Sequence, residues 1–259
     1  MVVADLHVHT TNSDGALTLE TIPAAAREAD LEAVAVTDHD RLHPDLSSPV
    51  VTHDGLTVVH GIELRVASSA GRVDLLGYGA RRTDALVAEL DRLQADRIER
   101  ARTIAECVED EIGVDLDLAF EPGIGRPHIA RAIAESPADY GYQDAFDDLI
   151  GDGCACYVQR EIPDFETGRD LLAEACGLVV LAHPLRYDDP EAALALTATL
   201  DGVERFYPYG RAVDTDPVEE AIAEHDLLGT GGSDAHDDRL GRAGLDRDAY
   251  TRVRSCLDT

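Results

Sequence analysis

The residues with the most evident chemistry are histidines and carboxylates that stand just after short apolar runs. His7-Val8-His9 closes the first run, Thr37-Asp38-His39-Asp40 a second, and Gly61-Ile62-Glu63 a third; His183 follows LVVLA, and Asp234 and His236 follow the last run in GGSDAH. Two histidines at i and i+2 of an extended segment point the same way, so His7 and His9 can share one metal ion, or stand as a surface pair. Asp14 lies on the loop that follows them. Each of these ends alone reads more readily as a cap or turn residue. Five such ends in one chain, all offering nitrogen or oxygen donors, point instead to a shared metal-binding centre. Mixed imidazole and carboxylate donors suit Mn, Fe or Zn and do not distinguish them.

Residues so far apart in sequence meet only if the elements bring their strand ends to one face. Residues 2–8, 31–37, 56–62 and 73–78 read as strands, and 19–29 as a helix with Thr18 as N-cap and Pro23 in its first turns. From about 85 to 160 the rhythm changes to a mostly helical insertion: a long charged helix over 84–111, a turn at Pro122-Gly123, a helix from Arg126-Pro127-His128 and another over 144–151. A strand–helix rhythm then resumes, with a helix at 171–175, strands at 178–182, 203–207 and 227–231, and a helix over 217–225. Alternating strands and helices predict parallel βα units, and in a parallel barrel the strand C-termini collect the chemistry on one face.

Composition narrows the setting. The chain has 259 residues, 44% of them apolar, and a formal charge of −30 from 52 acidic and 22 basic residues. Every basic residue is arginine; no lysine occurs. The apolar content favours a folded protein with a carboxylate-rich surface over disorder, and resembles proteins of organisms that keep concentrated salt in the cytoplasm. Such a surface repels nucleic acid at low salt, so nonspecific DNA binding is not expected; a small phosphorylated substrate or a nucleic-acid end held by a few arginines and metals is compatible with it. No long apolar run predicts a membrane span, and the N-terminus does not read as a secretory signal. A cytoplasmic location is expected. The five cysteines have no framework spacing and are read as reduced thiols, with Cys154-Ala-Cys156 read as structural or incidental rather than as a metal pair.

The set DLHVHT, VTDHD, GIE, AHP and GGSDAH, in that order, resembles the polymerase-and-histidinol-phosphatase (PHP) family over nearly the whole chain. GRPHIARAI and AFDDLIGDGCACYV look like the subgroup that cleaves nucleotide and RNA phosphate esters. The resemblance implies an α/β fold, a distorted (β/α)7 TIM-like barrel built from residues 1–84 and 161–259, with 85–160 as the helical insertion. It implies two or three divalent ions: a first held by His7, His9, Glu63 and Asp234, a second sharing Glu63 and using His183, and a third using Asp14, His39 and His236. The family usually carries a further histidine just before its LLGY-like strand; here Asp74 stands in that place. Asp74 is read as a hard oxygen ligand, the alternative being that it is too short to reach.

The chemistry then expected is hydrolysis of a phosphate ester by a metal-bridging hydroxide with Glu63 as the bridge, and His236 or His39 moving a proton. Arg126 and His128 of GRPH, and Arg160, are the candidate phosphate-binding residues, since arginine can hold two phosphate oxygens at once; the alternatives are a surface arginine and a locally packed histidine at a helix start. Glu204 and His60 read as structural. Nucleotide phosphates or short RNA ends are the expected substrates. Histidinol phosphate, a non-catalytic metal-binding regulatory module and the PHP domain of a separate polymerase are the competing readings. The charge generates its own prediction: because high salt screens self-repulsion, the melting temperature should fall when KCl is lowered from molar to millimolar, and an unchanged value would refute the salt-adapted reading.

Overall fold

A computed structural model describes residues 1–257, and the chain divides into two compact units, Met1–Val87 with Ile162–Thr259, and Ala88–Glu161. The first unit is built on a mixed sheet. Its strands are β1 (Ala4–Val8), β2 (Ala33–Val36), β3 (Val50–His53), β4 (Leu56–Ser68), β5 (Gly71–Tyr78), β6 (Leu178–Leu181), β7 (Gly202–Phe206) and β8 (Leu228–Gly231). They are ordered β1-β2-β4-β5-β6-β7-β8, with β3 on the flank of β4. Helices α1 (Ile22–Glu28), α5 (Phe165–Ala175), α6 (Pro190–Ala195), α7 (Asp216–His225) and α8 (Arg247–Ser255) belong to this unit.

The strands form where β-branched and small apolar residues cluster, and their alternation sorts the two faces. On β2, Ala33 and Ala35 pack with Leu6, Leu76, Val180 and the α8 residues Ala249 and Val253, whereas Val34 and Val36 pack against Ile22 and Ala26 of α1. Burying both faces explains why β2 reads as a continuous apolar run.

Two features differ from the predicted parallel barrel. β5 runs antiparallel to both β4 and β6, because only Ser69 and Ala70 separate β4 from β5 and so short a connection can join only antiparallel neighbours. Glu63 therefore does not end its strand as predicted. It sits inside the long β4, which pairs in parallel with β2 through His60 and then antiparallel with β5 from Gly61 onward. Among the described residues the end strands β1 and β8 share no ladder; Val8 of β1 instead bridges Ala235, in the segment after β8, so the sheet is not closed as a barrel. Three of these strands and helices had no sequence counterpart: the short, half-exposed flanking strand β3, the six-residue α6, and α8, whose arginine-rich sequence buries only Ala249 and Val253.

The second unit carries α2 (Asp84–Ile112, which begins in the first unit), α3 (Arg126–Glu135), the single turn α4 (Tyr142–Asp144) and a π-helical stretch, Ala145–Ile150. Ile104, Val108, Ile129, Ile133 and Ile150 form its core. The expectation that all cysteines are thiols is corrected here: Cys107 and Cys156 are joined in a disulfide, their Cα atoms 5.5 Å apart. The pairing joins α2 to the segment after the π-helix, positions 49 residues apart in sequence that only the folded unit brings together. Cys154, Cys176 and Cys256 are thiols. No helix among the described residues is long and apolar enough to cross a membrane.

Candidate metal centre

The sheet brings nine side chains from separate strands and loops together. They form three overlapping groups, His7-His9-Glu63-Asp234, Glu63-Asp74-His183 and His9-Asp14-His39-His236, with the ligand atoms of each group within 4.8 Å of one another. Glu63 belongs to two groups and His9 to two. In the first, His9 Nε2 lies 3.1 Å from Asp234 Oδ1 and 3.4 Å from Glu63 Oε2, and His7 Nε2 is 3.5 Å from each of Glu63 Oε1 and Asp234 Oδ1. In the second, His183 Nε2 is 3.0 Å from Glu63 and 3.7 Å from Asp74. In the third, Asp14 lies 3.4 Å from His236 and 3.8 Å from His39. The His9 rings and those of His39 and His236 are stacked or tilted at 4.2–4.4 Å.

The donors fit a divalent metal. His7 Nε2, both ring nitrogens of His9, Glu63 Oε2 and Asp234 Oδ1 are buried without a hydrogen-bond partner, and buried polar atoms are left unpaired only where something else satisfies them. Oxygen and imidazole donors, with no thiolate in any group, are a set able to hold divalent metal ions. The first two groups are the most buried. The third is the open one, with Asp14 and His236 side chains 28% and 40% exposed.

The electrostatics are those of ionised carboxylates among imidazoliums. Burial raises Glu63, but the nearby charges of His39 and His7, together with a hydrogen bond to His183, hold it well below the usual carboxylate range. Asp234 is likewise depressed, against burial, by His7 and His9, and Asp14 by His236 and His39. Burial lowers His39, but Glu63, at 2.7 Å, and then Asp14 and Asp74 lift it to about 9. His7 is raised against burial by Glu204, Glu63 and Asp234. His9 is lowered by burial and by the neighbouring His39.

A ring of side chains outside the ligand groups fixes them. Glu204, read as structural from the sequence, has one oxygen 3.0 Å from His7 Nδ1, while the other accepts the His183 backbone N–H at 2.7 Å. It therefore orients a ring and a backbone of two different groups, in the way carboxylates behind metal-bound histidines set ring orientation and basicity. Asp38 accepts from the Thr10 N–H and hydroxyl, from Asn12 and from Ser13, which pins the loop bearing Asp14. Asp5 accepts from Ser233 and Gly241 and pins the loop bearing Asp234 and His236. Gly232 is required there because a Cβ would lie 2.3 Å from the His7 nitrogen. His183 (φ 28°) and Asp234 (φ 51°) hold left-handed backbones, a cost of about 1–3 kcal/mol each that surrounding structure must offset.

Three further side chains that sequence reasoning missed, Arg186, Tyr207 and Arg65, touch the centre. Arg186, two residues beyond Pro184 of AHP, donates to Asp234 Oδ2 at 3.0 Å and to the Tyr207 hydroxyl, which itself donates to Asp234 at 2.8 Å. Arg65 binds Asp74. Sequence spacing gave no signal for Tyr207 or Glu204, because both act through neighbours contributed by other strands. Arg126, His128 and Arg160 belong to the second unit. There Arg126 pairs with Asp152 at 2.7 Å and lies over the Phe146 and Tyr157 rings, and His128 Nδ1 accepts the Gly125 N–H as a helix cap. Arg100, pushed down to about 10 by burial and by Arg126, Arg160 and Arg97, marks a gathering of guanidiniums within that unit.

Comparison with known proteins is consistent across sequence and structure. The PHP domain pattern matches residues 5–115. A phosphoribosyl 1,2-cyclic phosphate 1,2-diphosphodiesterase of Eggerthella lenta is 30% identical over 91% of this chain and 94% of its own length. The 5'-3' exoribonuclease Rnm of Escherichia coli is 31% identical over 72% and 67%, and a 3',5'-nucleoside bisphosphate phosphatase of Chromobacterium violaceum 29% identical over 88% and 79%. Among solved structures, a Bifidobacterium adolescentis protein described as a metal-dependent phosphoesterase superposes with a TM-score of 0.80 at 25% identity, covering 98% of this chain and 96% of its own.

The geometry generates two predictions. His39 is raised from 6.5 to about 9, so its contribution to stability is fully present below pH 6.5 and lost as pH rises through about 9. The depressed carboxylates lose theirs only in acid. In the presence of a chelator the melting temperature should therefore fall between about pH 6.5 and pH 9.5; a constant or rising value would exclude the imidazolium–carboxylate network. Glu204→Gln keeps the shape but removes the charge behind His7, and should weaken Mn²⁺ binding by about 10- to 100-fold, measured by calorimetric titration; unaltered affinity would show Glu204 to be only a packing residue.

Proposed function

This chain belongs to the PHP domain family, and from that premise we propose that it is a metal-dependent phosphoesterase whose substrates are phosphate esters of nucleotides or short RNA ends. The observation that carries the reading is the overlap of three candidate ligand groups, which have Glu63 and His9 in common. Bound there, two or three divalent ions of the Mn, Fe or Zn type would supply Lewis acidity and an activated water.

The side chains around them have separable tasks. Glu63, gripped by His39 and His183, keeps the central negative charge fixed. His236, at the open rim with Nε2 3.4 Å from Asp14, is assigned the proton delivered to the leaving oxygen; His39, with Nδ1 2.7 Å from Glu63, holds that carboxylate in place. Arg186 presents a guanidinium, its side chain 52% exposed, 3.0 Å from Asp234, and is assigned a phosphate oxygen of the substrate. A fork of fixed N–H donors suits the charge that develops on a phosphoryl group. Arg126, His128 and Arg160, within the second unit, are assigned phosphate binding. Arg126 would exchange Asp152 for a phosphate oxygen, and His128 would use Nε2, since Nδ1 caps its helix.

Support for the substrate class comes from the relatives, whose names share a phosphate on a ribosyl, nucleoside or RNA unit. The test is a phosphoester panel in molar KCl with Mn²⁺: 5'- and 3'-nucleotides, a 3',5'-nucleoside bisphosphate, 5'-phosphorylated short RNA, a phosphoribosyl 1,2-cyclic phosphate and histidinol phosphate. The nucleotide and RNA substrates should turn over well above histidinol phosphate, and Arg186→Ala should lower kcat/KM by roughly 100-fold with bound Mn²⁺ unchanged. Mn²⁺ binding without turnover of any substrate would favour a non-catalytic role, and faster histidinol phosphate hydrolysis would overturn the substrate class.

A further inference from the structure

The Glu63-Asp74-His183 group differs from the other two in what its second carboxylate already holds. Asp74 on β5 is the direct cross-strand partner of Arg65 on β4, and residues so opposed place their side chains on one face as neighbours. Arg65 takes both oxygens of Asp74, Nε to Oδ1 at 2.7 Å and Nη2 to Oδ2 at 2.6 Å. The Asp74 side chain is 2% exposed and that of Arg65 39%. The Asp74 backbone is fixed as well, its N–H donating to the Tyr187 hydroxyl at 2.9 Å while that hydroxyl donates to the Ala182 carbonyl at 3.1 Å. The oxygen that accepts Arg65 Nη2 is also the one facing His183, at 3.7 Å. By contrast, Asp234 receives a single guanidinium nitrogen, from Arg186, and Asp14 faces imidazoles.

We propose that Arg65 sets the metal affinity of the Glu63-Asp74-His183 position by holding Asp74, and so makes it the weakest and most exchangeable position of the centre. The proposal rests on the metal-centre reading above. A carboxylate attracts a cation chiefly through its charge, and a guanidinium with two short charge-assisted bonds cancels most of that charge locally while repelling a second cation. Each carboxylate oxygen has lone-pair capacity beyond one bond, so Asp74 keeps the ability to ligate, at lower affinity. The ladder register makes the arrangement a fixed property of the site rather than a chance surface contact. Occupancy of this position then follows the free metal concentration while the other two groups stay filled. Arg65 acts here as a positioning residue, through Asp74.

The test is a Mn²⁺ titration of dialysed protein in molar KCl, read by calorimetry and by the electron paramagnetic resonance of free Mn²⁺, on wild type, Arg65→Gln, Arg65→Lys and the double variant Arg65→Gln/Asp74→Asn. Wild type should show one class of site weaker than the rest. Arg65→Gln should tighten that class by roughly 10- to 100-fold, Arg65→Lys by less, because it keeps the charge and loses the fork, and the double variant should lose the class while keeping the others. Because Arg65→Gln leaves a buried carboxylate unpaired, its fold is checked by circular dichroism; the neutral double variant and Arg65→Lys carry the test if it unfolds. Sites of uniform affinity in wild type, or a weak class indifferent to Arg65 and Asp74, would overturn the inference. Absence of Mn²⁺ binding in every variant would overturn the metal-centre reading itself.

Discussion

Burying Glu63 is the constraint on which the rest of the molecule depends. A carboxylate taken wholly out of water is tolerated only when it is paired and hydrogen-bonded, and Glu63 is approached by His7, His9, His39 and His183, from three different segments. Those imidazoles are themselves largely buried, so they in turn need Asp234, Asp14 and Glu204. The network closes only when β1, β4, β6, β7 and the loops after β2 and β8 are all in register. The centre and the sheet therefore specify one another, and a cation placed among the unpaired atoms would complete the balance of charge.

Loop conformation is subordinate to that balance. Asp5 and Asp38 direct their oxygens to backbone and hydroxyl donors rather than to the centre, and so convert two flexible connections into fixed platforms for Asp14, Asp234 and His236. Glu204 ties His7 to the left-handed turn at His183. The strained backbones at His183 and Asp234 lie on these held segments, the expected place for strain that orients a functional side chain.

The second unit is held together differently. Its core is aliphatic and is clamped by the Cys107–Cys156 disulfide, and its arginines gather around Arg100, Arg126 and Arg160. In a chain of net charge −30, such a gathering of guanidiniums concentrates scarce positive charge within one unit.

Much of the centre was legible in the sequence because its donors sit beside strand ends, where local patterns are strong: His7, His9, His39, His183, Asp234 and His236 each adjoin an apolar run. The long helix α2 and most strands were legible from periodicity alone. The closing details were not. That Glu63 lies within a strand, that β5 reverses direction and that Cys107 meets Cys156 depend on which segments pair, and pairing partners leave no trace in local composition. Glu204, Tyr207 and Arg186 carry no motif because their roles exist only through neighbours from other strands. Residue order alone specifies which donors are available and that they recur beside strands. That Asp74 faces Arg65 across a ladder is settled only on folding, since register is a property of two strands together and not of either one.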